Sequence, residues 1–283
     1  MSMRQLDFKD HRRSLNDNQY VYAVVSRRVG GLSIGVNLNP DKTCNFDCPY
    51  CQVDRTIPGG SRVIDADRLS GELDGLLGWV NDGSLWTRAP FDTAADHLRQ
   101  VGDISFAGDG EPTAAPDFAA AVAEVIAVRA AHKLERVRLS LLSNATLFHR
   151  EGVIEGLDLL HGAGGEIWAK LDAGTEGWFQ RVDGTTFSFK RVLDNITAAS
   201  QRYRVVIQSM FHAFDGVGPD DAEISAWVGR LAAIRDAGGQ IREIQVYTVA
   251  RRPADPSVGA LERVRLDWIA AQAREAGFEV SVY

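Results

Sequence analysis

Apolar runs of strand length alternate with longer stretches of helical spacing along this chain, and that alternation narrows its possible folds more than any other feature. The runs fall at residues 32–38, 104–107, 137–142, 167–171, 205–210 and 244–249. Between them, Phe118, Val122, Val125 and Ile126, with Arg129 one turn on, line one helical face, because positions three and four apart share a side of a helix. Pro116 suits the first turn of that helix. Ile224, Trp227, Val228, Leu231 and Ile234 repeat the pattern, and Gly238-Gly239 supplies a stop. A further helix is predicted over 261–276, ending at Gly277, followed by a short strand over 278–282. Strands that alternate with helices argue for a parallel sheet with right-handed crossovers. Six such units are too few for a full eight-fold barrel. The expected fold class is therefore α/β, a partial (β/α)6 TIM-like barrel of parallel strands. The expected division is an N-terminal extension over 1–30, a core domain over 31–250, and a C-terminal helix and strand over 251–283 packing on the core. In such folds the working site lies at the C-terminal ends of the strands.

The cysteines are the next constraint. The chain has three, all within eight residues, in Cys44-Asn-Phe-Asp-Cys48-Pro-Tyr50-Cys51. An odd number so tightly spaced is a poor disulfide framework. Concentrated cysteines in a chain without secretory features point to metal or redox chemistry. A structural zinc site wants four protein ligands, and no fourth cysteine exists. A 4Fe-4S cube bound by three cysteines keeps one iron open, and a chelating ligand needs an open iron. The neutral reading, three buried unliganded cysteines, suits this segment poorly, because Asn45, Asp47 and Pro49 make a bad core sequence.

Polar residues recur where the strands are expected to end. Phe106-Ala-Gly108-Asp109-Gly110-Glu111-Pro112 follows the second run, and its glycines allow close backbone approach to a ligand. Ser143-Asn144-Ala145-Thr146 follows the third. The later runs end at Lys170-Leu171-Asp172-Ala173-Gly174, at Gln208-Ser209-Met210-Phe211, and at Gln245-Val246-Tyr247-Thr248. Asn144, Asp172 and Gln208 are candidates for cofactor or substrate contacts, and Lys170 for positioning an acidic group. The simpler account is that such residues cap strands and helices. His97, His149, His161 and His212 offer acid–base chemistry, but a lone histidine is more often structural, and no catalytic acid or base is assigned. Residues 83–98, with Trp86, Arg88, Pro90 and His97, read as an insertion or long loop.

The three-cysteine loop, with an aromatic residue just before its last cysteine, resembles the cluster loop of radical S-adenosylmethionine (SAM) enzymes. The resemblance implies a 4Fe-4S cluster on Cys44, Cys48 and Cys51, with SAM chelating the open iron. It implies reductive cleavage of SAM to a 5′-deoxyadenosyl radical that abstracts hydrogen from a substrate. It implies that Gly108, Asp109, Gly110 and Glu111 hold the SAM amino group, that the backbone near Tyr50 holds adenine, and that Asn144, Asp172 and Gln208 contact SAM or substrate. Ser26-Arg27-Arg28, Leu32-Ser-Ile-Gly35-Val-Asn37-Leu38, Ala107-Gly-Asp-Gly-Glu-Pro-Thr113, Leu171-Asp-Ala173 and Phe179-Gln-Arg181-Val-Asp183-Gly184 narrow the resemblance to a wyosine-synthase-like branch, over residues 22–248. Wyosine synthases build a tricyclic base on a tRNA guanosine, using pyruvate, and carry a second cluster on additional cysteines. This chain has none, so it is expected to be a single-cluster member.

Charge bears on the partner. The formal net charge is −7, which gives no global attraction for nucleic acid. Local basic pairs at Arg12-Arg13, Arg27-Arg28 and Arg251-Arg252 read as solvated surface charge. A small-molecule or peptide substrate is therefore favoured over tRNA. A flavodoxin or ferredoxin is the expected electron donor. With 45% hydrophobic residues and 24% charged ones, the composition is that of an ordinary globular chain. No apolar run approaches a membrane span, and the N-terminus carries no signal-like apolar stretch, so a cytoplasmic location is expected. The reading from a different class is a structural zinc-binding module without catalysis.

Overall fold

A computed structural model describes residues 15, 18–26, 29–251, 253 and 255–283. Arg12-Arg13, Arg27-Arg28 and Arg252 lie outside the described residues. The chain divides into two compact units, one made of the residues through Thr43, Pro58–Leu141 and Glu151–Glu166, the other of Cys44–Ile57, Leu142–Arg150 and Ile167–Tyr283.

In the first unit, β1 (Val21–Ser26) pairs antiparallel with β2 (Gly31–Val36), the reversal passing through Gly30 at φ 64°. Only glycine takes up that left-handed conformation at little cost. The helix α1 (Ala66–Asn81) starts at Asp65, whose carboxylate accepts the Arg68 backbone N–H. From α1, the Glu72 carboxylate accepts the backbone N–H groups of Gln19, Tyr20 and Val21 at 2.9, 2.7 and 3.0 Å. The entry into β1 is thereby fixed by one side chain. The strand β3 (Val101–Phe106) pairs parallel with β2, and β4 (Arg138–Ser143) pairs parallel with β3. The helix α2 (Phe118–Ala131) follows β3, and α3 (Glu151–Gly162) follows β4. Their apolar stripes close the core with Leu69, Leu73, Leu76 and Leu77 of α1. Pro116 stands before the Asp117 cap of α2, outside its first turn. The segment 83–98 is not one open loop. It folds into three short 3-10 turns that bury Leu85 and Phe91.

In the second unit come β5 (Glu166–Lys170), α4 (Glu176–Asp183), α5 (Phe189–Arg202), β6 (Val205–Met210), β7 (His212–Phe214), α6 (Asp221–Asp236), β8 (Ile241–Tyr247), β9 (Val258–Ala260), α7 (Arg263–Glu275) and β10 (Val280–Val282). The strands β5, β6, β8 and β10 lie side by side in that order, all parallel. The strands β7 and β9 form a separate antiparallel ribbon. Three of this unit's helix starts carry a side-chain cap: the Thr175, Ser188 and Asp220 side chains accept the third following N–H at α4, α5 and α6. Gly238 and Gly277, at φ 88° and 90°, end α6 and α7 where the sequence places the stops. Mostly parallel strands with helices between them make this an α/β fold of the expected partial-barrel class. Among the described residues no helix is long and apolar enough to cross a membrane.

Trp227 of α6 anchors this unit. It is fully buried, donates through Nε1 to the Leu171 carbonyl at 3.2 Å and the Ser209 hydroxyl at 3.1 Å, and meets Phe211 edge-on. Trp227→Ala should lower stability by about 3–5 kcal/mol, read as a shift in the urea midpoint. A midpoint within error of the parent would contradict the packing described.

Candidate active site

The cysteine loop belongs to the second unit, and its sequence explains how it is held. Asn45 is tied at both ends of its amide. Its Nδ2 donates to Thr146 Oγ1 at 2.5 Å, and its Oδ1 accepts from Asn144 Nδ2 at 2.7 Å. Its backbone carbonyl accepts from Thr185 Oγ1 at 3.1 Å. Phe46 turns inward, 6% exposed, and packs edge-on against Phe179, which stacks on Phe189. The Asp47 N–H donates to the Asp183 carbonyl at the end of α4. The next residue, Gly184, caps α4 at φ 56°, and a Cβ there would collide with the Asp47 carbonyl. A polar anchor, an apolar anchor and a glycine contact thus hold the stretch between Cys44 and Cys48. The three cysteines are half-buried thiols that form no disulfide.

Beyond the loop, the ends of β5, β6 and β8 converge on a buried polar cluster. Tyr50 Oη donates to Asp172 Oδ2 at 2.7 Å and reaches Asp183 Oδ1 at 3.4 Å. Cys48 Sγ lies 3.8 Å from the same Asp183 oxygen. Lys170 Nζ pairs with Asp172 Oδ2 at 2.9 Å and donates to Tyr247 Oη at 2.9 Å. Asp172 Oδ1 accepts the Met210 N–H at 2.8 Å. Asp172 is therefore the hub, taking a phenol, an ammonium and a backbone amide.

The electrostatics follow from burial. Burial, then the Asp183 carboxylate, pushes the Cys48 thiol up. Burial, then Asp172, pushes the Tyr50 phenol up. Burial, then the neighbouring Asp172, pushes the Asp183 carboxyl well above the ordinary carboxylate range. For Lys170 burial works against the charge, but Asp172 and Tyr247 outweigh it and hold the ammonium above its ordinary value. His212 is 1% exposed, edge-on to Tyr50 at 5.3 Å, with neither ring nitrogen hydrogen-bonded. Burial lowers its pKa to about 4, against smaller opposing help from Asp172.

The sequence-predicted residues do not all meet in one place. Cys48, Tyr50, Asp172 and Lys170 meet in the polar cluster. Asn144 spends its amide on the loop: besides Asn45, its Oδ1 accepts the N–H and hydroxyl of Thr146. Gln208 is fully buried and donates to Gln245 Oε1 at 2.8 Å, while its own Oε1 has no hydrogen-bond partner. It is in register with Lys170 on one side and Gln245 on the other. Gly108, Asp109, Gly110 and Glu111 lie in the first unit. There Asn37 donates to Asp109 Oδ2 at 2.8 Å and accepts the Asp109 N–H at 3.0 Å. A Cβ on Gly108 would strike the Asn37 side chain, and one on Gly110 would strike the Thr43 carbonyl. The Glu111 carboxylate, 3% exposed, accepts the N–H and hydroxyl of Thr113 and caps the next turn. Sequence reasoning missed Asn45, Phe46, Asp183 and Tyr247. Of these, Asn45 and Phe46 carried a signal: a small amide and an aromatic between cysteines have to be buried or bonded.

Residues 38–228 match the family model described as Radical SAM superfamily. The match covers more than half of the chain, and the chain belongs to the radical SAM superfamily. It is an enzyme of the radical SAM type, a family whose members use a 4Fe-4S cluster and SAM. Among curated proteins, one named GTPase Obg from Brachyspira hyodysenteriae is 26% identical over 166 residues, covering 56% of this chain and 20% of its own length. A UPF0026 protein from Helicobacter pylori is 26% identical over 183 residues, covering 64% of this chain and 51% of its own. The chain thus spans about a fifth and about half of these two relatives. A radical SAM methyltransferase from Sphaerobacter thermophilus superposes with a TM-score of 0.61 at 13% identity, over 93% of this chain and 68% of that one. TYW1 with a lysine-pyruvate adduct bound superposes at 0.55 and 14% identity, over 90% and 84%. These two likenesses show the fold.

The donor set fits the family's cluster. Three thiols on one anchored loop, with no fourth cysteine in the sequence, suit a cube with one open iron.

The state of His212 is testable. With its folded pKa below the ordinary 6.5, the unfolded chain binds the extra proton between 6.5 and about 4. Stability should be full above 6.5 and fall as pH drops through that window. NMR of labelled histidine should find one ring that stays neutral down to about pH 4, and His212→Phe should remove it. A His212 midpoint near 6.5 would contradict this environment.

Proposed function

We propose that this enzyme binds its 4Fe-4S cluster through Cys44, Cys48 and Cys51 and uses SAM to modify a small-molecule or peptide substrate. When bound, the cluster supplies the electron that cleaves SAM to methionine and a 5′-deoxyadenosyl radical. The observation that carries this reading is the cysteine loop itself, three thiols on one short segment anchored through Asn45 and Phe46. Anchoring of this kind lets the cofactor do the hard chemistry while the protein orients and isolates it.

The chain's own residues have distinct tasks. The Gly108–Glu111 turn is assigned to the SAM amino group, and Glu111 caps the turn that follows it through Thr113. The backbone at Tyr50 takes adenine, and the Tyr50 hydroxyl steadies Asp172. Asn144 positions the loop through Asn45 and acts on the ligands through it. Lys170 and Asp172 form a nearly neutral pair that orients polar groups of SAM or substrate. Gln208 Oε1 offers an acceptor to a donor group on the substrate. A flavodoxin or ferredoxin supplies the electron.

A second reading, modification of a tRNA base, draws support from the fold likeness to TYW1. Two features weigh against it. The net charge of −7 gives no general pull on a polyanion. A lysine that adds to a keto acid must offer a neutral amine, and Asp172 and Tyr247 keep Lys170 charged.

Anaerobic reconstitution with iron and sulfide should give a brown protein that, with dithionite and SAM, releases 5′-deoxyadenosine and methionine. Cys48→Ala should reduce both iron retention and cleavage to background. A Cys48→Ala protein that still cleaves SAM would contradict the assignment. Salt-sensitive retention of tRNA on a native gel would move the substrate to the second reading.

A further inference from the structure

The cysteine loop carries a cation on its outer side. Arg55 stands four residues past Cys51, exposed, and its Nη1 donates to Cys51 Sγ at 3.3 Å. Only Cys51 receives that bond, but the guanidinium also feels the charges of Cys44 and Asp47. Of the three thiols named as cluster ligands, Cys51 is bonded to Arg55, while Cys48 faces Asp183. The loop is lopsided: a buried carboxyl group stands beside Cys48, and an exposed guanidinium is bonded to Cys51.

That asymmetry has a consequence for electron transfer. One-electron reduction adds a negative charge to the cluster and its sulfurs. A hydrogen bond to a ligand sulfur and a nearby positive charge both stabilise the reduced form more than the oxidised form, and both raise the reduction potential. An arginine keeps its charge at every working pH. Asp47 opposes it, but the arginine makes the direct bond to sulfur.

We propose that Arg55 is a positioning residue that raises the reduction potential of the cluster through its bond to Cys51, easing transfer of one electron from the external donor. This rests on the cluster assignment made above. A surface arginine with an incidental contact is the plain alternative, and the potential separates the two.

The test is an EPR-monitored redox titration of the reconstituted holoenzyme, with dithionite as the one-electron reductant and neither SAM nor substrate present. For Arg55→Met, iron and sulfide content should match the parent, and the reduced-to-oxidised ratio at a fixed potential should fall about threefold to tenfold. Tenfold is about 59 mV for a one-electron couple. Arg55→Lys, which keeps the charge and a donor but loses the planar fork, should lie between the two. Should Arg55→Met fail to hold its cluster, an Arg55→Lys midpoint below the parent's carries the same support. Fully loaded variants that titrate with the parent's midpoint overturn the role of Arg55 alone. A parent protein with no 4Fe-4S signal overturns the cluster assignment and this proposal with it.

Discussion

The side-chain amide of Asn45 is the interaction on which the candidate site depends. It sits between Cys44 and Cys48 and bonds at both ends to the segment that follows β4. Asn195 of α5 fixes that segment in turn, donating to the carbonyls of Ala145 and Thr146 at 2.8 and 2.9 Å. The loop itself has no regular secondary structure, so its backbone would otherwise be free to choose among many conformations, at roughly 1–2 kcal/mol of entropy per residue fixed. Anchoring the loop through Asn45 moves part of that ordering cost into folding. Phe46 supports the same arrangement from the apolar side, through Phe179 and Phe189.

Behind the loop, the buried charges are arranged to cancel. Lys170 is matched by Asp172, and burial beside that same carboxylate pushes the Asp183 pKa up. A buried ion pair costs solvation unless its remaining valences are filled. Here Tyr50, Tyr247 and the Met210 N–H fill them. What the cluster leaves over is as informative: the His212 ring and Gln208 Oε1 are deeply buried and unbonded within the protein. Buried polar atoms of that kind normally have partners.

Much of this was legible in the sequence. The six apolar runs became the six parallel strands β2, β3, β4, β5, β6 and β8, because a run of four to seven apolar residues between helical stretches has few other uses in an α/β chain. The stops at Gly238 and Gly277 were legible for the same physical reason, a left-handed residue after a helix. The strand β1 and the ribbon of β7 and β9 were not. These elements are short or lie at an edge, and local pattern alone does not separate them from loop. Within the site, spacing pointed to the cysteines, and strand ends pointed to Lys170 and Asp172. Spacing could not show that Asp183, far along the chain, meets Cys48 and Tyr50. Nor could it show that Asn144 would be spent on Asn45 rather than presented outward. Those are tertiary facts, set by where α4 ends and by the glycine contact between Gly184 and Asp47.

The central claim is that three thiolates leave one iron of the cluster open for SAM. Mössbauer spectroscopy of protein reconstituted with iron-57 tests it most directly, because each iron reports its own ligands. Adding SAM should single out one iron, whose signal shifts to that of a site with nitrogen and oxygen ligands while the other three stay unchanged. A spectrum in which SAM alters no iron, or alters all four alike, would contradict the account.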